Sequence, residues 1–114
     1  MNVETVRNYC IKKKGVTESF PFDDVTLVLK VMGKMFALVG LGENPSLNLK
    51  CDPELAIELR EEYTSVLPGY HMNKKNWNTI KLDGSVPAGK IEEWMDHSYD
   101  LVVARLPLSV SKNL

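Results

Sequence analysis

The residues with the most chemistry to offer stand together between Pro68 and Thr79. Tyr70, His71, Asn73, Lys74, Lys75 and Trp77 bring aromatic rings, an imidazole, an amide and two ammonium groups into a stretch that holds no aspartate or glutamate. Such a set suits contact with a polar or anionic partner, with lysine on phosphate and an aromatic ring under a base. It does not suit catalysis. His71 and His97 form neither an HxxxH nor an HExxH spacing, and no serine occupies a GxSxG elbow. Gly40-Leu41-Gly42 lacks the third glycine and the following helix of a dinucleotide loop. Cys10 and Cys51 are in no CxxC or metal-ligand spacing and read as buried free thiols of a reducing compartment. The expectation is a protein that is not an enzyme and has no cofactor and no metal.

The elements that must hold this stretch can be read from period and punctuation. Asn2 caps a first helix carrying Val3, Val6, Cys10 and Ile11, with Lys12, Lys13 and Lys14 in its last turn and Gly15 to stop it. Gly15 to Asp24 reads as a connector whose Phe20 and Phe22 plug the edge of the core. From Thr26 the period changes to two, giving a hairpin of Thr26 to Val31 and Lys34 to Val39 about a Met32-Gly33 turn. Ser46 to Lys50 alternates as a third strand. Asp52-Pro53 opens a helix with Leu55, Ala56, Leu59 and Tyr63 on one side. Trp77 to Leu82 is a fourth strand, closed by Asp83-Gly84. Ile91, Trp94, Met95, Ser98, Leu101, Val102 and Arg105 then follow helical spacing to Pro107, as one helix or two with a break near His97-Ser98, and the tail from Ser109 to Leu114 is expected to fray.

At 114 residues, 44% hydrophobic and 25% charged, the chain is sized for one domain, residues 1–114, with a formal net charge of -1. Affinity for an anionic polymer must therefore come from local segregation of charge. The start of the chain lacks a basic-then-apolar secretion signal, and no apolar run approaches a bilayer span. A cytoplasmic protein with no membrane partner is expected.

Gly15 with Ser19-Phe20-Pro21-Phe22, Lys34 to Leu38, the block from Pro68 to Thr79, and His97-Ser98-Tyr99-Asp100-Leu101-Val102 together resemble the MmcQ/YjbR family in order and spacing. The resemblance spans nearly the whole chain. It implies an α+β fold of the frataxin/CyaY type, here an antiparallel sheet of about four strands with helices packed on one face as a two-layer sandwich. It also implies a DNA-binding role with a double-wing arrangement, a label that rests on structural analogy. Frataxin-type proteins present carboxylates along the first helix for hard cations, whereas this helix has Glu4 alone, so no metal site is carried over.

Charge is sorted by element. Val25 to Gly42 and Tyr63 to Leu82 hold lysines and no acid, while the second and last helices are rich in glutamate and aspartate. A period of two sends Leu27, Leu29, Val31, Leu47, Leu49, Ile80 and Leu82 toward the helices. Thr26, Val28, Lys30, Ser46, Asn48, Lys50, Trp77, Thr79 and Lys81 go to the other face. That face, with the Lys34 hairpin and the Tyr70-His71-Asn73-Lys74-Lys75 block, is the expected DNA contact surface. A protein-interaction adaptor using the same surface is the alternative.

Overall fold

The computed structural model describes residues 1–69 and 72–114. Its elements run α1 (Val3–Ile11), β1 (Val16–Ser19), β2 (Thr26–Val31), β3 (Lys34–Gly40), β4 (Ser46–Lys50), α2 (Pro53–Glu62), β5 (Val66–Pro68), β6 (Trp77–Lys81), α3 (Ala88–Ala104) and α4 (Leu108–Ser111). Among the described residues one antiparallel sheet has six strands in the order β1-β2-β3-β4-β6-β5. The expected four strands are corrected to six. Both additions are short outer strands whose sequence carries little pattern: β1 lies exposed at three of its four positions, and β5 spans three residues ending in proline.

Local signals set the helix and turn boundaries. Asn2 and Thr5 close a reciprocal capping box on α1. Asp52 caps α2 by accepting from the Leu55 N–H, with Pro53 at its first position. Met32 and Gly33 both adopt positive φ, 49° and 83°, as a two-residue hairpin turn of primed type requires.

Val6 and Cys10 of α1, Ala56 and Leu59 of α2, and Ile91, Trp94, Met95 and Val102 of α3 share one core with Leu27, Leu29, Val31, Leu47, Leu49, Ile80 and Leu82. The helices thus cover one face of the sheet, and the alternation assigned to these strand residues is observed. One irregularity breaks it. Leu29 opposes Ala37 but Lys30 opposes Met35, so Phe36 is the extra residue of a β-bulge. The bulge lets Phe36 and Ala37 both enter the core while Met35 turns outward.

Of the two readings, one helix or two with a break at His97-Ser98, the structure has the continuous α3, and the His97-Ser98-Tyr99 segment ties it to four other parts of the fold. His97 Nε2 accepts from the Asp52 N–H at 3.2 Å, and the Tyr99 hydroxyl donates to the Lys14 carbonyl at 2.6 Å. Fully buried Ser98 donates to the Phe36 carbonyl at 2.6 Å and accepts from the Lys50 N–H at 2.9 Å. The β3–β4 pairing ends at Ala37 opposite Leu49. Phe36 and Lys50 are the next residues along, so the Ser98 hydroxyl spans the ladder where the bulge opens it. The tail, expected to fray, forms α4, and Leu114 packs on the core. Both cysteines are free and buried, as the spacing implied.

Candidate nucleic-acid interface

Directly opposed residues of antiparallel strands point to the same side, so the register defines the face the helices leave uncovered. One row crosses it as Val28, Leu38, Asn48 and Thr79, and the next as Thr26, Gly40, Ser46 and Lys81. Lys50 stands opposite Trp77, and Lys30 opposite Met35. Lys30, Lys50, Trp77 and Lys81 therefore share the outer face, as the alternation predicted. Lys34 sits exposed at the start of β3. Thr79 Oγ1 donates to the Asn48 side-chain oxygen, which leaves the Asn48 NH2 group without a partner among the described residues.

Trp77 differs from expectation. Val28, Leu38 and Trp77 form a second apolar cluster on this face, flanked by Met35 and Met72, and the indole is only 8% exposed. It is a packed ring, and as a free platform for stacking a base it is corrected. The physical reason is that the outer face carries its own apolar row at Val28 and Leu38. Met35 and Met72 pack against that row, and the cluster keeps most of the indole from water. Gly69 permits the approach: a Cβ there would lie 2.9 Å from Trp77 Cβ and 3.1 Å from the Trp77 carbonyl oxygen. Its N–H donates to that same oxygen at 2.9 Å.

The turn before β6 is built to display its cations. Asn73 accepts the Lys75 N–H on its side-chain oxygen at 3.0 Å, and its carbonyl accepts the Asn76 N–H at 3.1 Å. The Arg60 guanidinium of α2 donates to the Lys74 carbonyl at 3.2 Å and anchors the turn from below. Asn73, Lys74 and Lys75 all project into solvent. The expected site residues Tyr70 and His71 lie outside the described residues.

Among the described residues the ion pairs are Arg7 with Glu18, Lys13 with Asp96, and Lys90 with Glu93. None uses a lysine of the outer face. Burial, and then the nearby positive Arg105, hold the Lys50 ammonium below the ordinary lysine range. An anion placed beside Lys50 would relieve that repulsion.

Between Phe22 and Met72 the face sinks into a groove of about 580 Å³, floored by Thr26, Leu38, Gly40, Ser46, Asn48 and Thr79. Hydroxyls and one amide line it, with apolar groups at either side. Phe20 and Phe22, expected to plug the core, are 49% and 65% exposed, and Phe22 is a wall of this groove. Asp23 is the acid at its rim. Its carboxylate accepts from the Val25 N–H at 3.0 Å and the Thr26 hydroxyl at 3.3 Å, and these bonds, the Val25 amide foremost, hold its carboxyl below the usual range. The groove was not foreseen, because no single stretch of sequence contains it.

Among the described residues no three His, Cys, Asp or Glu side chains gather as metal ligands do. Nor is any described helix long and apolar enough to cross a membrane.

A family model described as YjbR matches residues 11–101. The chain is 39% identical over 108 residues to the Escherichia coli K12 protein called Uncharacterized protein YjbR, spanning 94% of this chain and 92% of that one. It is 40% identical over 75 residues to Uncharacterized protein YyaQ of Bacillus subtilis, spanning 66% and 63%. The crystal structure of Deinococcus radiodurans DR2400, of the DUF419 domain family, superposes with a TM-score of 0.91 at 41% identity, covering 98% of this chain and 86% of that chain. A Pseudomonas syringae protein superposes with a TM-score of 0.78 at 28% identity, covering 89% and 98%.

Proposed function

The chain belongs to the YjbR family, and for it we propose a non-catalytic role in which the outer face of the sheet binds single-stranded DNA. One observation carries this reading. Lys30, Lys50 and Lys81 on the outer face, Lys34 on the hairpin, and Lys74 and Lys75 on the turn before β6 form one cationic side, with no carboxylate in ion-pair distance of them among the described residues. Phosphates would lie on these ammonium groups, and bases would enter the groove beside Asn48 and Thr79. A flexible strand fits a grooved sheet face better than a duplex, whose major groove is read by an inserted helix or ribbon.

Sequence preference is weak in this reading. Base edges are read chiefly by forked arginine contacts, and of the three arginines Arg7 is engaged by Glu18 and Arg60 by the carbonyls of Ala56 and Lys74, which leaves Arg105 alone for such a contact. The frataxin-type two-layer sandwich is part of the same proposal, supported by the one-sided placement of the helices. The hard-cation role of that fold is not carried over, since Glu4 is the one acid in α1.

The test is fluorescence anisotropy of a labelled oligothymidylate of about 15 nucleotides, within the usual span of a single-strand site. Each phosphate engaged on a single strand contributes about -0.7 to the log–log salt slope, so four contacts give a slope of roughly -3. Lys74→Glu with Lys75→Glu should weaken binding and flatten the slope, while Lys12→Glu at the end of α1 should not. Absence of binding at low salt, or equal losses from both variants, would overturn the reading.

Phe22, exposed at the rim of the groove, favours one other reading, in which an acidic and apolar protein segment docks on the same face. Capture of one particular protein after nuclease treatment, with no response to oligonucleotide, would select it.

A further inference from the structure

A second recess lies where β4 ends and the bulge carries β3 away from it. Its volume is about 230 Å³, and Lys34, Lys50 and Arg105 line it together with the apolar Met35, Trp77, Val102 and Leu106. Three different elements bring these cations together: the hairpin strand β3, the last residue of β4, and the residue that caps α3. The ion pairs among the described residues leave all three without a carboxylate.

From this juxtaposition we propose that the recess is a binding site for a small organic phosphate monoester, its phosphate held by Lys34, Lys50 and Arg105 and its body against Met35, Trp77 and Val102. Three cations around one opening match a doubly charged head better than a carboxylate, because each ammonium or guanidinium adds a charge-assisted hydrogen bond. The volume sits just below the usual range for ligand pockets, which limits the body to about one ring. Lys50 and Arg105 repel each other across the recess, and a shared anion seated between them would offset that repulsion by attracting both. The C-terminal end of α3 is the opposing influence. It is blunted, since the Val102 and Val103 carbonyls already accept the Arg105 and Leu106 N–H groups at 3.1 Å. The bulge at Phe36 is what makes the site: it opens the β3–β4 ladder and turns Met35 outward to form a wall.

The site requires no nucleic acid and stands or falls apart from the reading above. The test is amide and indole chemical-shift mapping of the labelled protein during titration with phenyl phosphate, inorganic phosphate and benzyl alcohol in turn. Phenyl phosphate is expected to shift the Trp77 indole N–H and the amides of Met35 and Arg105 at about millimolar concentration, the range of a weak fragment. Lys50→Met and Arg105→Met should each weaken it roughly tenfold, as loss of a charged hydrogen-bond partner does. Arg105 is exposed, so its variant keeps the fold, and unchanged shifts elsewhere check this. Equal shifts from benzyl alcohol would reduce the recess to an apolar dent. Shifts spread over every surface lysine with either phosphate, or affinity unchanged in both variants, would overturn the site.

Discussion

Replacing Ser98 by alanine removes one oxygen and strands two main-chain groups. The Phe36 carbonyl loses its donor at 2.6 Å, and the Lys50 N–H loses its acceptor at 2.9 Å. Ser98 is fully buried, so water does not readily take its place. A buried polar group left unpaired costs about 1–3 kcal/mol, the Phe36 carbonyl toward the upper end and the partly buried Lys50 N–H toward the lower. The sum is about 2–4 kcal/mol, and for a domain of this size it corresponds to a fall in Tm of roughly 8–16 °C. Urea unfolding followed by circular dichroism is the assay, with an unchanged m value showing that the same surface is exposed. Tyr99→Phe, which removes an exposed bond to the Lys14 carbonyl, sets the scale and should cost about 1 kcal/mol or less. If Ser98→Ala falls no further than Tyr99→Phe, the hydroxyl does not bridge the open ladder and the account of α3 docking fails.

Gly69→Ala should destabilise by about 1–3 kcal/mol, because the new methyl meets the Trp77 main chain, which cannot swing aside as a side chain would; an unaltered unfolding midpoint would contradict this. Burial pushes the Cys10 thiol from its ordinary 9.0 up to about 12 and the Cys51 thiol up to about 11. Tyr9, through burial and its bond to Asp96, is raised to about 12. With folded values above unfolded ones, the stabilisation is full below about pH 9 and is lost as pH rises toward 11 and 12, since the unfolded chain releases protons first. Urea midpoints should hold between pH 8 and about 9 and decline from there to pH 10.5, and a profile flat to 10.5 counts against the burial. At pH 8 both thiols should react with a disulfide reagent far more slowly in the native protein than in denaturant.

Much of this fold was readable because its signals are local. The Met32-Gly33 turn, the Asp52-Pro53 helix start and the alternation along β2, β4 and β6 each depend on residues within a few positions, and each is observed. What escaped depends on partners far along the chain. β1 is a strand because β2 offers an edge, and its own Thr17, Glu18 and Ser19 show no apolar face. The burial of Trp77 needs Val28, Leu38 and Met72, brought together only by the finished sheet. Ser98 read as a helix-break residue because its two partners lie 48 and 62 positions away. The candidate surface divides the same way. Which lysines share the outer face followed from alternation, whereas the apolar cover over the indole, the exposed Phe22 and the recess at Arg105 are products of tertiary packing.

The most direct measurement is to map where an oligonucleotide lands. Backbone amide shifts recorded during titration with oligothymidylate at low salt should move at Lys30, Asn48, Thr79 and Lys81 and on the Lys74-Lys75 turn, and stay fixed along the solvent sides of α1 and α3. Shifts concentrated on those helices, or none at any oligonucleotide concentration, would contradict the assignment of the outer sheet face as the contact surface.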